Sequence, residues 1–346
     1  MLLVPVSHPE SPKLPPTRRL LGGHEVFDTR PYMVYLRASS SSDPEIDPNW
    51  LCGGVIIHES YILTSAASID WTLLSGYVFD GYEFDNIKWM INDIAVVKVE
   101  EDFNFERRVI GCDFIPKKIA YNNISEDLEK AGSMASIAGW GSTVVFSRQS
   151  TVRSSSNSPL LLETEVALIS KKNCKKRWEE RYHHIIDDAM ICSKDTMDET
   201  MSLVCREHEV NCQEMVYSDE DEEEKPSRRQ MIDPKQLHVH FANHNHTRRS
   251  KPKVISGGFC ENDHGGPLIV GHGKSAVVIG IISACLTRDI THKCYGPFLY
   301  ASVWKNRQVI SCAIDKDIAT TCRKLLRSSK TQMSETVLEW TDTPER

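Results

Sequence analysis

Short apolar runs, separated by clusters of Gly, Pro, Ser and Asp, recur along most of this chain. Apolar runs bounded by such turn-forming residues are typical of β-strands, and their close spacing is typical of antiparallel barrels and sandwiches. The pattern therefore predicts an all-β protein. The predicted strands cover residues 31–36, 52–57, 61–66, 93–99, 133–140, 161–169, 266–271, 276–284 and 297–303.

Two segments carry a helical pattern instead. The first covers roughly residues 171–181, where Ser170 is a suitable N-cap because its hydroxyl can accept a bond from the first helical turn. The second runs from about Trp304 through Ser329, with interruptions. Residues 319–346 are therefore expected to form a helical or disordered C-terminal tail.

Two polar segments are expected to lie outside the folded core. Residues 1–19 are rich in Pro and predict a leader or pro-segment. Their apolar stretch ends after about six residues, whereas a signal peptide needs roughly 7 to 15; either the true start is missing or export is unconventional. Residues at about 193–256 lack apolar periodicity and predict a long surface insertion within a domain at 20–318.

Composition narrows the class of partners. The chain has 346 residues, of which 40% are hydrophobic, and a formal net charge of -7, so it can bury a full core and has no overall attraction for nucleic acid. No stretch approaches the roughly 20 apolar residues of a membrane span. We expect protein partners, no nucleic acid, no membrane span and no cofactor.

The cysteines indicate an oxidising compartment. Eleven of them are spread along the chain without CxxC pairs at zinc spacing, which favours a disulfide framework. The sequons at Asn123 and Asn245 are compatible with secretion and glycosylation. These features predict an extracellular protein, although no signal peptide is evident.

Several short motifs occur in an order that points to one family. In chain order they are RLLGGHEVFDTRPYMVYL, WLCGGVIIHESYILTSAAS, NDIAVVKV, IAGWGST, CENDHGGPL and GIISAC. Together, over roughly residues 19–312, they resemble the chymotrypsin/trypsin family of serine endopeptidases, peptidase S1. The resemblance implies two antiparallel β-barrels, a C-terminal helix and an active site in the cleft between the barrels.

The catalytic positions of that family are altered here. The resemblance places Ala67 where the general-base histidine belongs and His264 where the nucleophilic serine belongs, and it keeps Asp93 as the orienting aspartate. Ala67 cannot accept a proton and His264 offers no hydroxyl, so we expect no intact catalytic triad. Ser65 and Ser68 have no matched base and are expected to pack at the end of a strand.

The substrate pocket is altered as well. The position that decides primary specificity in the family corresponds to Gly258, which has no carboxylate for a basic substrate side chain. Ser283 and Cys285 stand at the ends of the segment that lines the pocket wall, and Cys285 is larger than the residue that the family keeps there. Both changes point away from peptide cleavage.

The remaining correspondences concern activation. Arg19 followed by Leu20 resembles the zymogen cleavage site, and Asp263 matches the aspartate that pairs with the new N-terminus. Asn262 stands where the family's nucleophile loop has a glycine. Ala67 and Asp93 are closer in sequence than the family's usual spacing, so the first barrel is either trimmed or the sequence lacks a segment near Asp70.

The resemblance also implies specific disulfides. It pairs Cys174 with Cys192 and Cys260 with Cys294, and Cys205 with Cys212 could close a small loop in the insertion. The family partner of Cys52 lies at Ser68, so this thiol is left over and is either free or bonded to another chain. The partners of Cys112, Cys285, Cys312 and Cys322 stay open.

Three functions are compatible with the sequence. The first is a secreted, non-catalytic serine protease homologue, similar to those of insects, that acts as an adaptor, decoy or cofactor in an extracellular proteolytic cascade such as those of innate immunity. The second is an endopeptidase with a non-standard triad. The third is a metal-binding protein using the insertion, where His238, His240, His244 and His246 alternate; the simpler interpretation of these histidines is a solvated loop without metal.

Overall fold

The computed structural model describes residues 24–25, 30–37, 50–69, 90, 93–108, 114–141, 158, 160–194, 257–259, 263–287, 294–315 and 322. The chain divides into two compact units, residues 1–195 with 256–346 and residues 196–255. The described residues all belong to the first unit. The insertion expected at about 193–256 lies outside them apart from its first two residues.

The described strands form two sheets, and the first of these is a small antiparallel sheet. It has four strands in the order β2-β3-β4-β5, with no crossover between neighbours. They are β2 (Met33–Arg37), β3 (Trp50–His58), β4 (Tyr61–Thr64) and β5 (Ala95–Lys98). β4 leads directly into the short helix α1 (Ala66–Ile69).

The second sheet closes into a barrel of six strands. Neighbours follow the order β8-β7-β10-β11-β12-β9, and β9 pairs again with β8. The strands are β7 (Met134–Gly139), β8 (Leu162–Ile169), β9 (Met190–Ser193), β10 (Pro267–Val270), β11 (Val277–Thr287) and β12 (Cys294–Ser302). Two short strands extend the sheet: β1 (His24–Glu25) pairs with β8, and β6 (Ala120–Tyr121) pairs in parallel with β11.

Helices cover the outside of the barrel. α2 (Lys171–Lys175) and α3 (His183–Ala189) precede β9, and α4 (Val303–Ile314) follows β12. Single 3₁₀ turns occupy Glu126–Glu129, Glu180–Tyr182 and Gly273–Ser275. The predicted helix at 171–181 is therefore wrong as one element, because the α-helix ends at Lys175 and a separate helix follows.

The core is continuous through both sheets. One cluster inside the barrel draws buried side chains from all six of its strands. A second cluster joins the small sheet, the barrel and α4. Its buried members are Tyr32, Met33, Val55, Ile57, Tyr61, Leu63, Ile119, Ala138, Ile269, Ala276, Val278, Ile281, Val303 and Ile310. This shared apolar contact holds the sheets together, since burial of apolar area is the main favourable term in folding.

The expected fold class is confirmed. The described chain is mostly β-strand, with one closed six-stranded barrel, a second sheet and a helix after the last strand. The first barrel, which we expected either to be trimmed or to lack a segment near Asp70, is represented in the described residues by the four-stranded sheet.

Candidate functional site

The carboxylate of Asp93 lies where the two sheets meet. Asp93 precedes β5 and has no exposed surface. Its Oδ1 accepts bonds from the Ser65 hydroxyl at 2.7 Å and from the Ala67 N–H at 2.9 Å. Its Oδ2 accepts a bond from the Ser283 hydroxyl of β11 at 2.6 Å. Both carboxylate oxygens are therefore occupied by donors, which offsets the large cost of burying this group.

The short helix α1 brings Ala67 to this carboxylate. Ser65 stands between β4 and α1, and its Oγ accepts bonds from the Ser68 N–H at 3.3 Å and the Ser68 hydroxyl at 3.2 Å. This is the usual geometry of a serine at the start of a helix. The turn it fixes aims the Ala67 N–H at Asp93, while the side chain at that position is a methyl group, 8% exposed. No imidazole is present at the position that the resemblance assigns to the general base.

The thiol of Cys52 lies beside the same group of hydroxyls. Cys52 has no exposed surface, and its Sγ is 3.3 Å from the Thr64 Oγ1. Burial raises the pKa of Cys52 to about 12, against the opposing effect of bonds from Thr64 and Ser68. Cys52 is free within the described part of the chain. The expected alternative of a bond to another chain does not fit this position, because the thiol has no exposed surface that a second chain could reach.

The loop around His264 is fixed by bonds and close packing on both sides of that residue. Asp263 is 1% exposed and accepts a bond from the Gly141 N–H at 2.7 Å. The His264 carbonyl accepts a bond from the Gly53 N–H at 2.9 Å. Gly265 has a φ of +80°, and a Cβ there would overlap the Gly53 carbonyl and the Thr64 Oγ1. The backbone of His264, the residue that the resemblance places at the nucleophile position, is thus held in place on both sides.

The residues that the resemblance assigns to the specificity pocket lie in the wall of the barrel or beside it. Gly258 is buried beside β12, and Ser283 donates its hydroxyl to Asp93. Cys285 is half-buried, packs against the barrel core and is disulfide-bonded. Sequence reasoning treated Ser283 only as part of the pocket wall and Ser65 only as packing. The structure shows that both serines are the partners of Asp93.

A model of the trypsin family matches residues 72–205 of this chain. Among its relatives, trypsin epsilon of Drosophila erecta is 28% identical over 195 residues, which is 51% of this chain and 66% of the relative. Granzyme M of Rattus norvegicus is 25% identical over 198 residues, which is 51% of this chain and 67% of the relative. Duodenase-1 of Bos taurus is 25% identical over 196 residues, which is 51% of this chain and 68% of the relative.

Over part of its length the chain is similar to the trypsin-like serine proteases. It spans 66% of the length of the two Drosophila erecta trypsins that it matches, just under two thirds. The family match at 72–205 includes Asp93, but it includes neither Ala67 nor His264.

The structure of this trypsin-like chain joins Cys174 to Cys192, the pair that the resemblance implied, and joins Cys312 to Cys322. Asn123 is exposed. The other expected site residues lie outside the described residues: Arg19, Leu20, Asn245, Cys260, Asn262 and the side chain of Cys294.

In the described part of the chain, no group of three or more His, Cys, Asp or Glu side chains is placed to hold a metal ion. The histidines at 238–246 lie outside it. Across the same described ranges, no helix combines the length and the apolar character needed to cross a membrane.

Proposed function

We propose that this chain is a secreted, non-catalytic serine protease homologue that acts by binding other proteins of an extracellular proteolytic cascade. The observation that carries the proposal is the state of Asp93. In a working triad this carboxylate orients an imidazole. Here it is bonded to the Ser65 hydroxyl, the Ala67 N–H and the Ser283 hydroxyl.

The missing groups remove the reaction rather than weaken it. Serine acyl transfer needs a hydroxyl and a neighbouring base that takes its proton during the attack. Loss of a single triad member costs several orders of magnitude in rate, and the members are so coupled that losing two is little worse than losing one. With Ala67 and His264 at the base and nucleophile positions, the expected residual hydrolysis is negligible.

The preserved scaffold supports a binding role. The buried bonds around Asp263 and Gly265 keep the shape of a loop whose chemistry is gone. If the chain were under no selection to stay folded, substitutions at Asp263 and Gly265 would be tolerated as readily as the alanine at position 67. Retention of the shape fits a role in which other proteins recognise the protease surface.

Secretion is supported by the covalent structure. The disulfides Cys174–Cys192 and Cys312–Cys322 form and persist in oxidising compartments. The cascade, the partner proteins and the relation to insect homologues are part of the proposal.

A serine-reactive probe tests the absence of catalysis. The purified chain, before and after limited cleavage at its N-terminal region, is incubated with a fluorophosphonate and with a broad peptide library, with active trypsin as the positive control. We expect no labelled serine and no cleaved peptide. Stoichiometric labelling of any serine would support the alternative, an endopeptidase with a non-standard triad.

An add-back experiment tests the binding role. Extracellular fluid from the source organism is depleted of the chain with an antibody, and trypsin-like amidase activity is measured after a cascade trigger. Adding the wild-type chain is expected to change that activity by several-fold, and a His264→Ala variant is expected to do the same. No change at any concentration of added chain would contradict the proposal.

A further inference from the structure

We infer that the cavity in which a trypsin-like protease holds a substrate side chain is filled in this chain by its own Phe298, packed against Phe259. The inference rests on the proposed function in taking Gly258 as the position that decides specificity. It goes further, because loss of the triad alone would leave an open pocket.

The ring of Phe298 lies directly against Gly258. A Cβ built on Gly258 would overlap the Phe298 Cζ and Cε2 atoms and would lie 3.1 Å from its Cε1. The tip of the ring therefore occupies the space into which any side chain at position 258 would extend. Both the specificity-determining side chain and the room for it are missing.

A second aromatic ring closes the space around Phe298. The Phe259 ring centroid is 4.8 Å from that of Phe298 and 5.6 Å from that of Tyr300. All three side chains have no exposed surface and belong to the barrel core. Aromatic pairs at these separations pack favourably. A filled, dry core therefore stands where a substrate side chain would enter.

The strands fix the direction of the Phe298 ring. Phe298 pairs with Ser193 of β9, and the adjacent Pro297 carbonyl accepts a bond from the Trp178 indole N–H at 3.0 Å. Two residues along, the Tyr300 hydroxyl is 3.0 Å from the Ser193 hydroxyl. Because the backbone is held on both sides, the ring is part of the barrel core and not a mobile flap.

This arrangement limits how partners can bind. A substrate, or an inhibitor loop that imitates one, anchors itself by inserting a side chain into the specificity pocket. The described residues around Gly258 and Phe298 leave no space for such a side chain. The proteins that the proposed function requires must therefore recognise another part of the surface.

A double-mutant cycle tests the contact itself. Gly258→Ala, Phe298→Ala and the double variant are compared with the wild type in urea unfolding. In the wild-type background, Gly258→Ala should raise the unfolding equilibrium constant by roughly 5- to 150-fold, as overpacking does. In the Phe298→Ala background the same change should have little effect, because the opposing ring is gone. An equal effect in both backgrounds would overturn the inference.

Ligand binding provides an independent readout. Phe298→Ala should gain a saturable rise in melting temperature with benzene, because apolar cavities of this kind take small apolar ligands. The wild type and a control truncation in the loop that packs against the small sheet, Phe103→Ala, should show no such rise. Benzene stabilisation of the wild type equal to that of Phe298→Ala would show an open pocket and overturn the inference. If Phe298→Ala does not fold, Phe298→Leu replaces it. Leucine is smaller than the phenylalanine ring, so Gly258→Ala should still raise the unfolding equilibrium constant less in the Phe298→Leu background than in the wild type.

These outcomes are separate from those of the proposed function. A fluorophosphonate-labelled serine would contradict the absence of catalysis and leave the cycle unchanged. An additive cycle would contradict the filled pocket and leave the labelling result unchanged.

Discussion

At the scale of single residues, the buried carboxylate of Asp93 is bonded to donors from three other residues. Burying a carboxylate is costly unless donors surround it. The Ser65 hydroxyl and the Ala67 N–H share Oδ1, and the Ser283 hydroxyl takes Oδ2. The residue thus has a structural role in joining the segment before β5 to β11, and under the proposed function this is the role that it keeps.

Removing the Ser65 hydroxyl should destabilise the fold. Ser65→Ala leaves Oδ1 of a fully buried carboxylate with one donor fewer and also removes the acceptor for the Ser68 N–H. Leaving a buried polar group short of a partner costs about 1–3 kcal/mol. Urea unfolding of Ser65→Ala and of the wild type measures this loss in the free energy of unfolding.

The control is Ser60→Ala, a change of the same chemistry in the turn between β3 and β4. It should shift the free energy of unfolding by no more than about 0.5 kcal/mol. Equal stability of the two variants would show that the Ser65 bond to Asp93 is energetically unimportant.

Cys52 lacks the cysteine partner that the resemblance implies, because the corresponding position holds Ser68. Its thiol is buried beside Thr64 and close enough to Ser68 for that hydroxyl to lower its pKa against the effect of burial. The Ser68→Cys variant should therefore form a disulfide with Cys52. A bridge closing a loop of this size should add about 3 kcal/mol to the free energy of unfolding.

Thiol counting under denaturing conditions and melting with and without reductant test this bridge. Ser68→Cys should melt higher only without reductant. The matched control, Cys52→Ala combined with Ser68→Cys, should show no reductant-sensitive gain. Two titratable thiols in denatured, unreduced Ser68→Cys, at 52 and 68, would contradict the expected proximity.

At the level of elements, strands followed from the sequence better than helices did. Apolar runs bounded by turn residues predicted nine of the twelve described strands, including every strand of the small sheet, because each of these strands carries its own pattern. The helix at 171–181 was predicted too long. Trp178 turns inward to donate to the Pro297 carbonyl, a contact with β12 that no local pattern contains.

Helix α3 and strand β9 were missed for related reasons. α3 carries His183, His184, Asp187 and Asp188 around only a few buried apolar side chains, so its apolar period is too short to detect. β9 has four residues and closes the barrel by pairing with both β8 and β12. Its existence depends on that closure, which is a property of the assembled sheet.

The stability of the fold should depend on pH through Glu129, which bonds to the start of α4. Glu129, in the 3₁₀ turn Glu126–Glu129, accepts bonds from the Ser302 hydroxyl at 2.7 Å and the Trp304 N–H at 3.0 Å. Burial raises the pKa of Glu129 above its ordinary value of 4.5, against the lowering effect of these bonds. The folded state therefore binds this proton more tightly than the unfolded state does.

The sign of the effect follows from that difference. The contribution of Glu129 to stability is fully present below pH 4.5 and is lost as pH rises through the raised pKa of the folded state. In Glu129→Gln this slope should vanish. Urea unfolding across that pH range, with Glu179→Gln as an exposed control, measures it. A wild-type stability that rises with pH relative to Glu129→Gln would contradict the burial effect.

At the scale of the whole molecule, the two sheets are held together by bonds as well as by their common core. Asp93 precedes a strand of the small sheet and bonds to β11, and the Gly53 N–H of β3 bonds to the His264 carbonyl. The sequence identified Asp93 and His264 as a site through the resemblance to known motifs. The sequence did not predict the bond of Ser65 to Asp93 or the contact of Phe298 with Gly258. The partners in each pair are distant in the chain, and only the fold brings them together.

Also at the scale of the whole molecule, the exposure of the sequon at Asn123 determines whether enzymes of a secretory pathway can modify it. Asn123 is exposed in the loop after β6, and its neighbour Ile124 is 72% exposed, whereas Asn122 is buried and bonds to the Ser125 carbonyl. The loop is thus fixed by Asn122 and presents the acceptor of its sequon to solvent. Passage through a secretory pathway should add a glycan at Asn123, because enzymes of that pathway act on exposed Asn-x-Ser sequons.

Mass spectrometry of the protein from its source, before and after removal of N-linked glycans, tests this expectation. A peptide containing residue 123 should carry a glycan. In secretory expression, Asn123→Gln should lose the corresponding mass and Asn173→Gln, at an exposed asparagine outside any sequon, should not. An unmodified Asn123 in all source protein would count against export through that pathway, and the disulfides would then need an oxidant in another compartment.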